Sequence, residues 1–230
     1  MAKTRAATYD AQRQAILDAA AQAFAEVGFP SASMNDIARR CAMSKGLLYH
    51  YYASKGALLF DVTRAYTKRL VALVDEVERR MPDEAERLPE LIRVFLDEYQ
   101  TSQARHMVLL HDLRFLAEAE RQAVVGDQRR VVEAFTAAIR AAHRLPENLP
   151  IVKPVAMMLF GMMNWTFTWL KPGKGLSYAG FAKLVTEVFT SGVETFARRV
   201  ARQPGSVGDL TREKPTTEMI ARHRVRREQR

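Results

Sequence analysis

A polar segment near the N-terminus carries side chains that suit contact with a polyanion. Lys45 and Lys55 supply cations, and Tyr49 and His50 supply hydrogen-bonding groups on aromatic rings. Gly46 has no side chain, so its backbone can approach another molecule closely. Groups of these kinds bind the phosphates and base edges of double-stranded DNA, so this segment predicts a DNA contact.

Two serines place this segment in a pair of short helices. Ser33 is followed three residues later by Asp36, a capping-box pattern that predicts a helix over 34–41. After a three-residue turn, Ser44 caps a predicted second helix over 45–51. This is helix-turn-helix spacing, and the second helix is small enough to enter a major groove about 12 Å wide.

The predicted helix starts add three residues to the DNA site. Ser33 and Ser44 lie where exposed N–H groups and the helix dipole attract phosphate. Lys55 begins a further predicted helix, where its charge opposes the dipole, and a bound phosphate would remove that conflict. The predicted DNA-binding residues are Ser33, Ser44, Lys45, Gly46, Tyr49, His50 and Lys55.

Several residues of this region also have a structural interpretation. Leu47 and Tyr51 fit the apolar face of their helix and are expected in the core. His50 suits a solvated or capping position as well as it suits base recognition. Cys41 is expected to be a small buried apolar residue.

A second candidate site lies in a methionine- and aromatic-rich stretch near residue 164. Met157, Gly161, Asn164, Trp165 and Thr168 recur at helical spacing and share one predicted face. A face with Gly, Asn and Thr beside a Trp predicts a mostly apolar pocket with a few polar groups. The predicted ligand-binding residues of apolar or polar type are Phe115, Phe135, Gly161, Asn164, Trp165, Thr168 and Trp169. The alternative is that the Met and aromatic residues form core or a dimer interface.

Four arginines on neighbouring helices are further candidates for contact with a ligand. Arginine is a planar, permanently charged donor that binds phosphate through two hydrogen bonds. The candidates are Arg114, Arg121, Arg129 and Arg130. The alternative is that they are solvated or paired with nearby carboxylates, for which Glu118, Glu120 and Asp127 are available.

The sequence offers no pattern for catalysis or for a metal site. The five histidines form no HExxH motif, and the single cysteine cannot form a CxxC pair. A Gly-rich phosphate loop and a Gly-x-Ser-x-Gly turn are also absent from the sequence. We therefore expect no enzyme activity, no metal and no cofactor.

Composition and charge agree with a DNA-binding protein of the cytoplasm. The chain of 230 residues carries a formal net charge of +9, concentrated in residues 1–56 and 201–230. Basic ends favour a polyanion, although solubility alone is an alternative. The single Cys41, with no apolar stretch after Met1 that resembles a secretory signal and no membrane-spanning run, predicts a cytoplasmic location.

The hydrophobic periodicity is helical along most of the chain. Helices are predicted over residues 11–27, 34–41, 45–51, 55–80, 87–105, 107–116, 119–144, 152–170 and 178–200. The predicted fold class is all-α, with an N-terminal three-helix domain and a larger C-terminal helical domain that binds ligand and dimerises. The predicted boundaries are 1–54 for the first domain, 55–201 for the second and 202–230 for a disordered basic tail.

The N-terminal motifs resemble the TetR family of repressors. The matching stretches are Ala15-Ile16-Leu17 to Phe24, Gly28-Phe29, Met34-Asn35-Asp36-Ile37-Ala38, Met43 to Tyr52 and Ser54 to Leu59. Tyr52 departs conservatively from the Phe that the family more often has there. The resemblance implies a homodimer on a pseudo-palindromic operator, with an inducer held in the C-terminal domain. The last two helices are the predicted dimer interface, with Phe181, Leu184, Val188 and Phe189 as candidate contacts.

The run from Asn164-Trp165-Thr166 to Pro172-Gly173 resembles a TetR subgroup that responds to acyl-CoA thioesters. That resemblance implies an acyl-CoA effector, with an aromatic acyl group such as phenylacetyl as first choice and a fatty acyl group as second. Two alternatives stay open at this point. The chain could be a DNA-binding dimer that senses another small hydrophobic ligand or none, and a more distant alternative is a helical enzyme.

Overall fold

The computed structural model describes residues 2–171 and 173–203, with side chains from residue 9 onward. All regular structure in these residues is helical. The α-helices there are α1 Ala2–Ser31, α2 Met34–Arg40, α3 Lys45–Tyr51, α4 Lys55–Arg80, α5 Arg87–Thr101, α6 Gln103–His111, α7 Glu118–Ala142, α8 Val152–Asn164, α9 Thr166–Trp169 and α10 Tyr178–Arg202. Short 3-10 turns at Glu84–Glu86 and Leu113–Phe115 precede α5 and α7. The predicted all-α class is confirmed.

Serine side chains begin several of these helices, as the sequence predicts. The Ser33 hydroxyl accepts from the Asp36 N–H at 3.1 Å, and the Ser44 hydroxyl accepts from the Leu47 N–H at 3.1 Å. Ser54 caps α4 through the Ala57 N–H, and Ser177 caps α10 through the Gly180 N–H. Each bond satisfies a backbone donor that the first turn of a helix leaves free.

The first helix differs from the prediction at its start. The predicted start is residue 11, but α1 already begins at Ala2 and continues through Asp10. Gly28 interrupts helical geometry as predicted, with a φ of +78°, and the chain then turns through Phe29 and Pro30 into the last part of α1. A side chain is strained at such a φ, so glycine suits this kink.

Helix α4 is the central element of the larger part of the fold. It packs against α1, α5, α6 and α7, and α7 in turn packs against α8. A row of aromatic rings crosses the core, with Phe95 on Phe135 at 4.9 Å between centroids and Phe135 on Phe160 at 4.8 Å. The predicted ligand residue Phe135 is therefore a fully buried core residue.

Two predicted helix breaks are displaced. The break expected near His106 occurs at Ser102, whose N–H bonds to the Glu98 carbonyl at 2.8 Å and whose hydroxyl donates to the Glu98 carboxylate. The helix predicted over 152–170 is divided at Trp165 into α8 and the one-turn α9. Both changes alter which side chains share a face.

Within the described residues, those up to Phe189 form one compact unit, and a second unit begins at Thr190, inside α10. None of the described helices is long and apolar enough to cross a membrane. Apart from Arg202 and Gln203, the predicted basic tail lies outside the described residues, so its disorder stays a prediction.

Candidate functional site

Helix α3 presents a continuous exposed surface beside a single buried anchor. Leu48 is the one side chain of α3 that is fully buried. Lys45, Gly46, Tyr49 and His50 are all exposed, and the Lys45 ammonium lies 5.8 Å from the centroid of the Tyr49 ring. The structure thus brings four of the predicted DNA-binding residues onto one short helix with an accessible face.

The two capping serines lie at the starts of α2 and α3, where they were predicted. The exposed Ser44 uses its hydroxyl oxygen to cap α3, so its hydroxyl proton remains free to donate. The Ser33 hydroxyl donates to the Asp36 carboxylate at 2.7 Å, and that contact lowers the pKa of Asp36. Of the two, Ser44 is better placed to bind a phosphate.

Lys55 has a role inside the protein that sequence reasoning missed. Its ammonium donates to the carbonyls of Phe29, Pro30 and Ala32 at 2.7, 3.0 and 2.8 Å. It also lies 4.6 Å from the centroid of the Phe29 ring. The negative ends of these carbonyls offset the unfavourable position of Lys55 at the start of α4.

Three structural expectations for this region are wrong. Leu47 is 41% exposed on α3, so it belongs to the accessible face and not to the core. Tyr51 is only partly buried and stacks on Tyr9, with the ring centroids 5.0 Å apart. Cys41 is partly exposed because it forms the C-terminal cap of α2 and not its inner face.

Tyr52 connects the end of α3 to two other helices. Its hydroxyl donates to the Asp61 carboxylate of α4 at 2.9 Å, and Arg13 of α1 donates to the same oxygen at 2.5 Å. Burial and the Asp61 contact raise the pKa of Tyr52, so this phenol stays neutral. The extra hydroxyl that separates Tyr52 from Phe therefore ties α3 to α1 and α4.

A cavity of about 220 Å³ lies in the larger part of the fold. Its lining comes from α4 to α8 and is mainly aliphatic and aromatic. The described residues around it are Thr67, Leu70, Phe95, Tyr99, His106, Leu109, Leu110, Gln128, Val131, Val132, Met157, Phe160 and Asn164. Met157 is 51% exposed, so the cavity wall reaches the protein surface there.

Two polar side chains of this cavity are incompletely satisfied. His106 is 2% exposed, its Nδ1 lies 3.3 Å from the Tyr66 hydroxyl, and its ring stacks on Tyr99 at 3.8 Å. The Nε2 atom of His106 and the Oδ1 atom of Asn164 are buried without a hydrogen bond of standard geometry. Burial lowers the pKa of His106 to about 4, although the nearby Asn164 carbonyl partly opposes this, so the imidazole is neutral.

Of the predicted pocket face, Met157 and Asn164 reach the cavity. Gly161, Trp165, Thr168 and Trp169 are exposed outside it, and Trp165 and Trp169 are 59% and 49% accessible. The division of the predicted helix at Trp165 rotates the later residues away from the face that carries Asn164. His106, which the sequence places at a helix break, lines the cavity together with Asn164.

The remaining predicted residues also lie outside the cavity lining. Arg121 pairs with Glu118 at 2.5 Å, and Arg130 pairs with Glu78 at 2.5 Å and Asp75 at 3.2 Å. Arg114 lies 4.9 Å from the centroid of the Phe115 ring.

Arg129 is exposed and forms no ion pair with the described residues. It follows Gln128, which lines the cavity, directly in α7. Of the four predicted arginines, Arg129 is thus the one that is exposed and next in the chain to a residue of the cavity lining.

Two adjacent residues of α6 contact different parts of the fold, the cavity and helix α1, which precedes the helix-turn-helix pair α2 and α3. His106 lines the cavity, whereas Arg105 forms an ion pair with Asp18 of α1. At the end of α6, burial raises the pKa of Asp112, and the Phe29 N–H donates to its carboxylate and opposes that rise. Helix α6 therefore contacts both α1 and the cavity.

A band of exposed apolar side chains occupies α8 and α10. Met158 is 67% exposed, Leu184 46% and Val188 54%. Phe181 and Phe189 are each only 7% exposed, so these two predicted dimer contacts are buried within the chain. These exposed side chains are accessible to a partner, and Leu184 and Val188 are among the predicted dimer contacts.

Among the described residues, no group of three or more His, Cys, Asp or Glu side chains is arranged to hold a metal ion.

Family models match both parts of the chain. A model described as "Bacterial regulatory proteins, tetR family" matches residues 16–62, and one described as "Tetracyclin repressor-like, C-terminal domain" matches residues 81–193. A solved TetR-family transcriptional regulator from Bordetella parapertussis 12822 is 32% identical, with a TM-score of 0.73. That match covers 77% of this chain and 93% of the solved one.

Two further proteins extend the comparison. The transcriptional activator FasR of Mycolicibacterium smegmatis (strain ATCC 700084 / mc(2)155) is 30% identical over 131 residues, which are 56% of this chain and 58% of FasR. The chain thus matches less than two thirds of the length of this curated relative. The structure of AibR in complex with isovaleryl coenzyme A and operator DNA has a TM-score of 0.68 at 24% identity, covers 78% of this chain and 98% of its own, and shows a shared fold.

Proposed function

Because the chain belongs to the TetR family of transcriptional regulators, which are transcription factors and not enzymes, we propose that it is a homodimeric repressor released from its operator by an acyl-CoA thioester. The observation that carries this proposal is α6, which places His106 in the apolar cavity and Arg105 against the helix-turn-helix region. Such a helix couples an effector site to a DNA-binding site.

The exposed face of α3 is the surface that enters the major groove. Lys45 and Ser44 bind phosphate, while Tyr49 and His50 reach base edges. Leu47 joins this set because its exposed methyl groups can contact the methyl group of thymine. Lys55 positions the end of α1 from behind and stays within the protein.

Dimerisation covers the apolar band on α8 and α10. Two-fold symmetry would place two copies of α3 about 34–36 Å apart, the spacing of successive major grooves.

Val188→Glu introduces a charge into the proposed interface and is expected to yield a monomer by light scattering. Val27→Glu is the matched control, because Val27 and Val188 are both 54% exposed and Val27 lies on α1. A Val188→Glu variant that remains dimeric would place the interface elsewhere.

The acyl group of the effector occupies the cavity, and coenzyme A lies outside it. An apolar cavity of about 150 Å³ holds benzene, so about 220 Å³ suits a phenylacetyl group better than a long fatty chain. The unpaired Arg129 meets a phosphate of coenzyme A beyond Gln128. The complex of AibR with isovaleryl coenzyme A supports an effector of this class.

Release follows from a difference in effector affinity between two arrangements of α6. If the effector prefers the arrangement that operator DNA does not, a coupling of roughly 1–3 kcal/mol lowers the affinity for DNA. We expect the whole regulator to act in the cytoplasm, where CoA thioesters are made and used.

The test is operator binding in the presence of phenylacetyl-CoA, a long-chain acyl-CoA, free CoA and phenylacetate. Phenylacetyl-CoA is expected to release DNA, and free CoA is not. Release by phenylacetate as readily as by its thioester would refute the recognition of CoA. No release by any thioester would refute the acyl-CoA assignment and favour a dimer with another hydrophobic effector or none.

A further inference from the structure

The shape of the cavity limits the part of a ligand that can enter it. Its volume is about 220 Å³. A cavity of roughly 150 Å³ holds a benzene ring, so this one has room for the ring and a few more atoms. Phe95, Phe160 and Tyr99 supply aromatic walls. A single six-membered ring with a short substituent therefore fills this space, and a second ring does not.

The charge of the cavity limits the ligand further. The described residues that line it include no Lys, Arg, Asp or Glu. Its one titratable group of intermediate pKa, His106, is neutral because burial disfavours the imidazolium. The nearest carboxylate along the chain, Asp127, is already bound by Arg64 and Thr67. A ligand carboxylate would lose its hydration here without gaining a cation.

The two unsatisfied polar atoms show what the ligand must provide. Buried polar groups are nearly always hydrogen-bonded, so two atoms stand out. Asn164 Oδ1 has no partner, and His106 Nε2 has none of standard geometry, although the Asn164 backbone carbonyl lies near the imidazole. A neutral imidazole can present Nε2 as a donor, and the Asn164 carboxamide has a donor and an acceptor at its two ends. With the Asn164 carboxamide turned so that Nδ2 takes the place of Oδ1, both side chains donate to one oxygen of an ester, thioester, ketone or alcohol. With Oδ1 in place, only a hydroxyl, which also donates, bonds with both.

We infer that the cavity selects an uncharged ring-sized group bearing one oxygen, and that His106 and Asn164 are the residues that recognise this oxygen. This inference rests on the proposed function in one respect, because it takes the cavity as the effector site. It assigns selectivity to the acyl end alone and makes no use of coenzyme A. The same cavity would bind a small ester that lacks coenzyme A altogether.

The experiment is calorimetric titration of the full chain with four small probes at pH 7.5. Methyl phenylacetate is expected to bind, and phenylacetate, the same molecule with a carboxylate, is expected to bind at least about tenfold more weakly. Methyl biphenyl-4-ylacetate tests the size limit and is expected to bind at least about tenfold more weakly. Ethylbenzene, which has the ring but no oxygen, reports the shape of the cavity.

Variants test the recognising residues. His106→Leu and Asn164→Leu are each expected to weaken methyl phenylacetate about tenfold and to leave the affinity for ethylbenzene within about twofold. Retained ethylbenzene binding shows that the cavity is intact. His111→Leu is the control, because His111 is exposed on the same helix and outside the lining, and it should bind all four probes as the parent chain does.

The outcomes separate this inference from the proposed function. Equal binding of phenylacetate and its methyl ester, or no binding of the ester, overturns the inference even if phenylacetyl-CoA releases the operator. Binding of the ester with the expected variant effects upholds the inference even if no CoA thioester acts. Unchanged ester affinity in both leucine variants overturns the assignment of His106 and Asn164.

Discussion

The ring of Phe29 stacks on the ring of Phe115, with the centroids 5.2 Å apart and the planes inclined by 29°. Phe29 follows the Gly28 kink of α1, and Phe115 ends the 3-10 turn that follows α6. The sequence predicts Phe115 as a ligand contact, but this stack gives it a place between the helix-turn-helix region and the segment that leaves the cavity. It is therefore a candidate connection between effector and DNA binding.

Phe115→Leu is expected to weaken this connection without disturbing either site. The aromatic stack contributes about 0.5–1.5 kcal/mol beyond burial, and leucine retains much of the apolar area. We expect unchanged affinity for effector and for operator separately, but a smaller loss of operator affinity when effector is added. Calorimetry and an operator titration measure the three quantities. Full effector response in the variant would exclude the stack from the coupling.

Lys55→Met and Lys45→Met are expected to separate a structural lysine from a DNA-binding one. The methionine at position 55 removes the donor to three carbonyls, which should lower the free energy of unfolding by about 1.5–3 kcal/mol. The dependence of operator affinity on salt should not change. Lys45→Met should leave stability nearly unchanged and reduce the salt slope by about one. If Lys55→Met reduced the dependence of operator affinity on salt, Lys55 would be shown to contact DNA.

Gly46→Ala is expected to stabilise the protein and weaken its binding to DNA. Beyond its own helix backbone and chain neighbours, a methyl group built at Gly46 has the Ser44 hydroxyl as its nearest atom, at 4.0 Å, so the fold accepts alanine. Helix formation should gain about 0.5–1 kcal/mol, whereas the added methyl group should keep α3 from its closest approach to DNA. Gly126→Ala in α7 is the control, since no atom beyond its own helix backbone and chain neighbours lies within 4 Å of its added methyl group. It should raise the melting temperature and leave operator affinity as it was.

His106 is expected to make stability depend on pH between about 4 and 6.5. Its pKa is about 4 in the folded protein and near 6.5 when exposed, so the unfolded chain binds more protons within this window. The free energy of unfolding should therefore fall, by an amount on the order of a few kcal/mol, as the pH is lowered from 6.5 to 4. The facing Tyr66 and Tyr99 stay neutral throughout, because burial raises the pKa of both.

His106→Leu should flatten this part of the stability profile, and His111→Leu should not. Asp112 also titrates at low pH, and its raised pKa acts in the opposite direction. His106→Leu leaves Asp112 and His111 in place, so its comparison with the parent chain isolates His106, whereas His111→Leu removes a charge that lowers the pKa of both His106 and Asp112. Urea denaturation at half-unit pH intervals provides the measurement. Parallel profiles for the parent chain and His106→Leu would show that the imidazole is not held neutral.

The sequence by itself determined the helical class, most helix boundaries and the helix-turn-helix motif. The capping bonds of Ser33, Ser44 and Ser54 explain why. Each joins a serine to an N–H three residues later, so the signal and its consequence lie within one turn of helix. The family motifs lie in the same region for the same reason. The face of α3 that carries Lys45 and Tyr49 follows from this local information.

Only the tertiary structure decided which side chains meet across helices. Lys55 binds carbonyls 23 to 26 residues earlier in the chain, and Phe115 meets Phe29, which no local pattern indicates. Because the helix break lies at Ser102, His106 is in α6 and lines the cavity, although the sequence places it at a break. The break at Trp165 puts Trp165 outside the cavity that Asn164 lines. Each residue turns the helix by about 100°, so a shift of a few residues in a boundary changes the face a side chain occupies. The composition of the cavity depends on those faces, and therefore on how the helices pack.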